Sequence, residues 1–483
     1  MLATVEQYRP IIVATLSVLL AVIASVHVVL NKRDTRAAVA WVGFAWLVPI
    51  VGPVLYVLLG INRIRRRGEA LRRSGLTVGP SPRDTGVDWR AFRAELGEEH
   101  GHLDSLARVV RRVTGRPVVA GNRVTPLVNG DAAYPAMPEA IDRADRSVAL
   151  GTYIFDHDEI GCQFAAALER AVARGVKVRV LVDAVGARYS WPSMVRELTR
   201  RGVPVARFLQ TLVPWRMPFM NLRSHRKILV VDGRVAFTGG MNIRAGHVLA
   251  DKPRRPVQDL QFRLEGPIVE QLTHVFAEDW GFTTREVLAG DDWFPLLEDV
   301  GPVVARGIPD GPGEDIDAVR MVFLGGVQTA QSRICVVTPY FLPDRDLISA
   351  LNIASMRGVE VSIVLPRVNN HPMVGWASTA LHWQLLERGC RIFLTPPPFD
   401  HTKLMVVDGV WTLIGSANWD PRSLRLNFEF NVECYDTELA QSMDRLVAEK
   451  LRDAHEVTLR EVDGRPLPVR LRDGVARLFS PYL

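Results

Sequence analysis

Two stretches of this sequence repeat one another in order and spacing: SVALGTYIFDHDEIGCQFAAALERAVARGVKVRVLV, from Ser147 to Val182, and SRICVVTPYFLPDRDLISALNIASMRGVEVSIVLP, from Ser332 to Pro366. In the first, Ile160, Phe164, Leu168 and Val172 recur at every fourth position, the period of one apolar helix face. Gly175 ends that helix, and Val176, Val178, Val180 and Val182 then alternate as a strand. The second copy runs the same way around Gly358. Strand, helix, strand at this spacing is a βαβ unit, so the chain is expected to fold as two pseudo-symmetric α/β halves with mostly parallel sheets flanked by helices.

Each half carries a second shared phrase: SHRKILVVDGRVAFTGGMN begins at Ser224, and DHTKLMVVDGVWTLIGSAN begins at Asp400. The apolar, β-branched run favours a strand and Asp-Gly a tight turn. Residues two apart on a strand share a face, so His225 and Lys227 converge, as do His401 and Lys403. With two-residue turns at Asp232-Gly233 and Asp408-Gly409, paired positions sum to 465 and 817, placing Gly240 opposite His225 and Ser416 opposite His401. A small residue there leaves room for a tetrahedral group, to whose oxygens Asn242 and Asn418 could donate hydrogen bonds.

Two histidines on opposite sides of one phosphorus supply the nucleophile and the acid that a displacement needs. Lys227 and Lys403 would offset the charge on the phosphoryl oxygens, work that a metal does elsewhere. The sequence has no H-E-x-x-H, no Asp-rich run and no P-loop, so neither metal nor other cofactor is expected. Asp232 and Asp408 are read two ways, as catalytic groups with the His-Lys pairs or as turn-formers, because they lie an odd step from the histidines at the turn itself. Asp259 and Glu429, on the return path of each half, are the better-placed acids for fixing a histidine tautomer.

At the N-terminus, Ile11 to Leu30 is 20 residues without a formal charge, and Ala37 to Ile61 adds 25 more. Glu6 beside a single Arg9, and a second apolar run close behind, favour a retained hairpin over a cleaved signal peptide. Pro49, Gly52 and Pro53 predict a break within the second run. The arginines after it (Arg63, Arg65, Arg66, Arg67, Arg72, Arg73) place the bulk of the chain in the cytoplasm by the positive-inside rule. A multi-pass protein of the cell membrane is the expectation, with a re-entrant hairpin as the other reading. The formal charge of +6 lies largely beside these runs, where it suits an anionic membrane better than nucleic acid. The four cysteines, Cys162, Cys335, Cys390 and Cys434, are scattered singly, as buried thiols in a reducing compartment would be.

The expected organisation is a membrane hairpin (1–73), a connector (74–117), a first half (118–305), a second half (306–455) and a tail (456–483). From Gly202 to His225 is 23 residues (225 − 202), but from Gly389 to His401 only 12 (401 − 389), so the first half carries 11 extra, within LQTLVPWRMPFMNLR. This insertion is either a core-packing loop or a membrane contact in which Trp215, Met217, Phe219 and Met220 touch acyl chains, with Arg216 and Arg223 near the phosphates.

The paired motif H-x-K-x4-D-x6-G-[GS]-x-N is the signature that this chain shares with the phospholipase D superfamily: His225, Lys227, Asp232, Gly239, Gly240, Asn242, and His401, Lys403, Asp408, Gly415, Ser416, Asn418. Within it, the apolar hairpin with PIVGPVLYVLLG, the phrase GSANWDPRSLRLNFE and the ending RLFSPYL resemble the bacterial cardiolipin synthases. The resemblance implies a phosphatidyl-histidine intermediate made from phosphatidylglycerol, resolved by a second phosphatidylglycerol to give cardiolipin and glycerol. It also implies His225 as nucleophile and His401 as acid and then base. The first copy departs from many members in having Gly240 where they have Ser. A membrane phospholipase D or another phosphatidyltransferase using water or another alcohol is the nearest alternative, followed by a nuclease and by a membrane scaffold with an inactive site.

Overall fold

The computed structural model describes residues 2–32, 35–60, 87, 89–209, 222–311 and 317–480. The N-terminal helices and the α/β body form separate compact units.

In the N-terminal unit, α1 (Leu2–Asn31) contains a segment, Tyr8–Asn31, with a mean hydropathy of 2.5. It is the one helix among the described residues that is long and apolar enough to cross a membrane. The second apolar run, expected over 37–61 with a break inside it, is broken. It is split into α2 (Thr35–Leu47) and α3 (Val51–Leu55), the latter continuing as a π-turn over Tyr56–Gly60. Pro49 has no N–H to donate and Ile50 sits at φ 62°, so the helix stops and restarts at the predicted break. The pieces fold back on one another: His27 Nδ1 and the Tyr56 hydroxyl lie 2.7 Å apart, and Trp46 Nε1 donates to Ser25 Oγ at 3.1 Å. Gly52 permits this approach, since a Cβ there would stand 2.4 Å from the Phe44 carbonyl oxygen.

The body is built on one 16-stranded sheet. In the first half its strands are β1 (Val119–Val128), β2 (Ser147–Thr152), β3 (Lys177–Asp183), β4 (Val205–Phe208), β5 (Arg223–Ser224), β6 (Ile228–Val231), β7 (Val235–Gly239) and β9 (Leu260–Glu265). The second half supplies β10 (Val303–Asp310), β11 (Arg333–Val337), β12 (Glu360–Pro366), β13 (Arg391–Thr395), β15 (Leu404–Val407), β16 (Trp411–Gly415), β17 (Asn427–Tyr435) and β18 (His455–Glu456). The short strands β8 (Val257–Gln258) and β14 (Phe399–Asp400) pair with each other outside it.

Both predicted βαβ units are present. Asp158 caps the helix Glu159–Ala173 by accepting from Gly161 N at 2.9 Å, and Asp344 caps Arg345–Met356 by accepting from Leu347 N at 3.0 Å. Gly175 and Gly358, at φ 85° and 94°, end the two helices. Parallel pairing is confined in the main path to β2-β3-β4 and β11-β12-β13. The sheet is therefore mixed rather than mostly parallel. The Asp-Gly hairpins β6-β7 and β15-β16 can pair only antiparallel, and their return strands β9 and β17 follow suit.

The hairpin strands bury both faces. Leu229 and Val231 face a first-half core with Phe164, Leu168 and Val180, whereas Ile228 and Val230 face a core shared by the two halves. That shared core joins Phe262, Val275 and Phe276 to Val406, Ile414, Phe430 and Val447. A third core lies under Val319, Leu351 and Ile363, and the connector helix Leu103–Thr114 packs into it through Leu106 and Val110.

The halves meet where β10 pairs with both β1 and β17. Arg306 stands opposite Glu433 in this register, and both are fully buried. The guanidinium donates to Glu433 Oε1 and to the Ala107 carbonyl, and Glu433 Oε2 accepts from Trp411 Nε1 at 3.0 Å and the Tyr435 hydroxyl at 3.1 Å. Removing one member leaves the other charged and unsolvated, so Glu433→Ala is expected to destabilise the body by about 3–5 kcal/mol. Denaturant unfolding checks this, and a change within about 0.5 kcal/mol, typical of a neutral surface substitution, would exclude it.

Candidate active site

The two histidines leave the hairpins and are positioned by the opposite half. Residues 225–227 precede β6 and are not part of it. β5 runs parallel to β17, pairing Arg223 with Asn427 and Ser224 with Phe428, and His225 N then donates to the Phe428 carbonyl at 2.8 Å. In the same way β14 lies on β8, and His401 N donates to the Gln258 carbonyl at 2.8 Å. Each imidazole is thereby set beside an acid of the other half. His225 Nδ1 is 2.9 Å from Glu429 Oε2, and His401 Nδ1 is 2.7 Å from Asp259 Oδ2.

This geometry corrects the expected cross-strand partners. The observed registers sum to 466 (Ile228 with Thr238) and 818 (Leu404 with Ile414), one more than two-residue turns give. The pairing also ends before either histidine is reached, so Gly240 is not opposite His225, nor Ser416 opposite His401. The relation is reversed. Ser416 stands by His225, its carbonyl 3.1 Å from Nδ1, and its hydroxyl donates to Glu429 Oε2 at 2.5 Å. Gly240 stands by the acid of His401: a Cβ on it would be 2.2 Å from Asp259 Oδ1.

Lys227 and Lys403 are buried with His401, His225 is partly buried beside them, and each ammonium bonds back to the carbonyl of its own motif's histidine. Lys227 Nζ also lies 5.7 Å from the ring centre of Tyr153. Burial lowers the Lys227 pKa to about 7 and the Lys403 pKa to about 8. Burial likewise lowers both histidines, His401 the further because Lys403, Lys227 and His225 all oppose its charge. The acids differ. Glu429 accepts from His225, from Ser416 and from Asn427 Nδ2 at 3.0 Å, and these contacts with Lys227 outweigh its burial and hold it below the usual value. Among the described residues Asp259 accepts from Leu260 N, at 2.8 Å, besides His401, and burial, opposed by Lys403, pushes it up to about 6.

Asp232 and Asp408 are not part of this cluster, which corrects their grouping with the catalytic set. Asp232 accepts from the backbone N–H groups of Asp145, Arg146 and Ser147 at 2.8–3.0 Å. Asp408 accepts from those of Gln331, Ser332 and Arg333 at 2.8–2.9 Å, and lies 2.8 Å from His102 Nε2. Both have positive φ, 52° and 51°, so each makes the turn and ties it to the chain entering the βαβ unit. The asparagines are engaged as well: Asn242 Oδ1 accepts from Ile154 N at 3.1 Å, and Asn418 Nδ2 donates to Ser423 Oγ at 3.2 Å. Arg223 is buried in β5 and feels Asp183, Tyr153, Arg422 and Arg188. Trp215, with Arg216, Met217, Phe219 and Met220, lies outside the described residues.

Two site residues escaped the sequence reading. The Tyr153 ring stands edge-on to His225 at 5.4 Å, and the Tyr340 ring edge-on to His401 at 6.3 Å. Tyr153 follows Thr152 directly in TYIFD, whereas Tyr340 is two residues after Thr338 in TPYFLPD, so a tyrosine near the same turn of each copy, one position out of register, was the available signal. Among the described residues no group of three or more His, Cys, Asp and Glu side chains is arranged to hold a metal ion.

The fold and the crossed histidine pairs define a phospholipase D-like α/β protein with one site built from two halves. Residues 137–280 and 326–451 match the family described as "Cardiolipin synthase, PLD-like domain", and residues 19–60 match "Phospholipase_D-nuclease N-terminal". The chain is 32% identical to cardiolipin synthase A of Pseudomonas fluorescens (strain SBW25), covering 96% of each chain. It is 31% identical to the cardiolipin synthase of Geobacillus kaustophilus (strain HTA426), covering 94% of this chain and 90% of that one. The crystal structure of phosphatidylserine synthase from Haemophilus influenzae Rd KW20 has the same fold, with a TM-score of 0.59 and 13% identity, over 78% of this chain and all of that one. The chain belongs to the phospholipase D-like cardiolipin synthase domain family.

Two expectations follow from the site. Gly240→Ser, which restores the residue of the second copy, has no room for its side chain and displaces Asp259 from His401. Loss of that alignment lowers kcat about 10²-fold, whereas unchanged kcat would show that Asp259 does not need its position. In the free enzyme Lys227 and Lys403 are charged below their lowered pKa values of about 7 and 8 and neutral above them, and Asp259 loses its charge below about 6. A pH profile of kcat/KM is therefore expected to fall on the alkaline side through these lysine values and on the acid side through about 6. A profile still rising beyond the higher lysine value would contradict the assignment.

Proposed function

We infer that this chain is a membrane-bound cardiolipin synthase that transfers a phosphatidyl group between two phosphatidylglycerol molecules, releasing glycerol. The observation that carries the reading is the buried cluster in which each histidine is held through Nδ1 by an acid of the other half, between two lysines. With Nδ1 taken, Nε2 of each ring is the nitrogen left to react. In the empty site Lys227 and Lys403 balance Glu429 and Asp259. A phosphodiester adds one negative charge, so its binding favours protonating one imidazole, which then serves as the acid.

On this reading His225 attacks phosphorus. Glu429, held ionised by three donors, stabilises the imidazolium that forms. The bond from phosphorus to the glycerol oxygen breaks, and His401 gives that oxygen its proton. The free hydroxyl of a second phosphatidylglycerol returns a proton to His401 and attacks phosphorus. The phosphorus–nitrogen bond then breaks to give cardiolipin and the starting enzyme. Asp259, near 6 and with fewer donors, suits a partner for the histidine that gains and loses a proton within the cycle. Asp232 and Asp408 keep the hairpins in place, and Arg223 and the insertion around Trp215 are assigned to the phosphate and acyl regions of the lipid. The partners are anionic phospholipids and not nucleic acid. The cell membrane, with the catalytic body on the cytoplasmic side, is the proposed location.

Incubating the reconstituted protein with phosphatidylglycerol alone tests the function. Cardiolipin and glycerol in equal amounts are expected, and neither is expected with His225→Ala or His401→Ala. Phosphatidic acid without cardiolipin would reject the synthase in favour of a phospholipase D that uses water.

A further inference from the structure

The C-terminal helix Leu467–Leu478 packs one face on the body and leaves an apolar face exposed. Its inner side packs on the helix Pro372–Thr379 and buries Ala476 and Asp473. On the outer side Leu467, Leu471, Val475, Leu478 and Phe479 recur at positions i, i+4, i+8, i+11 and i+12, all between 48 and 75% exposed. Five large apolar side chains aligned over three turns form a stripe, not the scatter of single residues that a soluble surface tolerates.

The charge around the stripe has one sign. Arg470 and Arg477 flank it on one edge and Arg472 on the other, following the 3.6-residue period. Arg470 and Arg477 are exposed, and neither has an ion pair among the described residues. The one acid of the helix, Asp473, points inward and is already bound by Arg465 and Arg472. Arg472 in turn stacks on Trp376, 4.6 Å from its ring centre, which fixes the rotation of the helix with the stripe outward.

We propose that this helix is a membrane-surface element: it lies in the interface of an anionic bilayer with Leu467, Leu471, Val475, Leu478 and Phe479 among the acyl chains and Arg470 and Arg477 at the lipid phosphates. An outward apolar stripe rimmed by unpaired arginines is complementary to that surface on both counts, apolar interior and negative headgroups. A protein partner would need an apolar groove with acids on its rim. A second copy would set the arginines of two helices against each other. The site is separate from the histidine cluster and does not depend on which alcohol the enzyme uses.

The test uses the full chain in vesicles. Leu471→Cys carries an environment-sensitive fluorophore, the same label on Asp463→Cys reports the aqueous side, and the labelled parent measures background from Cys162. In vesicles containing phosphatidylglycerol, the label at 471 is expected to emit at shorter wavelength than at 463 and to lose most of its intensity when the lipids carry brominated acyl chains. Adding Arg470→Glu and Arg477→Glu, or using phosphatidylcholine alone, should return it towards the aqueous emission. Emission at 471 matching that at 463 overturns the proposal. So does a short-wavelength emission that ignores brominated lipid, and where it varies with protein density it assigns the stripe to a second copy instead. Phospholipid turnover by the charge-reversed protein in detergent micelles, expected to stay at the parent level, separates a lost surface contact from a misfolded body.

Discussion

Everything at the site depends on the crossed pairing of each imidazole with a carboxylate from the other half. His225 is oriented by Glu429 and His401 by Asp259, so neither half holds a finished histidine. Backbone makes the crossing before any side chain does: β5 lies on β17, and β14 lies on β8, each delivering its histidine one residue further on. An imidazole placed this way is only as well aligned as the two halves are. The β1-β10-β17 junction, the buried Arg306 and Glu433 pair and the shared core therefore belong to the chemistry as much as to the fold.

The repeat made much of this legible. Period-four and period-two patterns locate both βαβ units, and the matched Asp-Gly turns locate both hairpins, because these depend on local chain geometry. The acids Asp259 and Glu429 were also readable as orienting groups, since each follows its motif on the return path. Which histidine each one serves was not. Counting across a hairpin assumes that the strand continues back to the histidine, but at His225 and His401 the backbone turns to the opposite half for its hydrogen bonds. Such long-range exchange leaves no periodic trace in a single sequence. The break in the second apolar run was legible for a more local reason. Its hydropathy is high enough, but Pro49 and the positive φ of Ile50 interrupt a run that length alone would allow to cross.

Pseudo-symmetry makes the small differences between the copies informative. At the position after Gly239 and Gly415 one copy has Gly240 and the other Ser416, and each sits beside the acid that serves the opposite histidine's motif. The hydroxyl at 416 is one of three donors that keep Glu429 ionised, while at 240 the carboxylate of Asp259 fills the space a side chain would need. Ser416 is thus one of the contacts, after His225 and Lys227, that lower Glu429 against its burial, while burial raises Asp259 to about 6. On the proposed reaction the two acids have different work. Glu429 must stay charged while His225 carries the imidazolium charge in the intermediate, and Asp259 must let His401 give up its proton and take it back.

The lysines complete that argument. Two ammonium groups this deeply buried are costly in an empty protein, and burial lowers the pKa of each. They persist because Glu429 and Asp259 offset them, leaving a site that is neutral without substrate and short of one positive charge when a phosphodiester enters. That deficit can be met by a proton on an imidazole. On the proposed reaction, binding the substrate then arms the acid that the first displacement requires, and the protein needs no separate device to keep a histidine protonated beforehand.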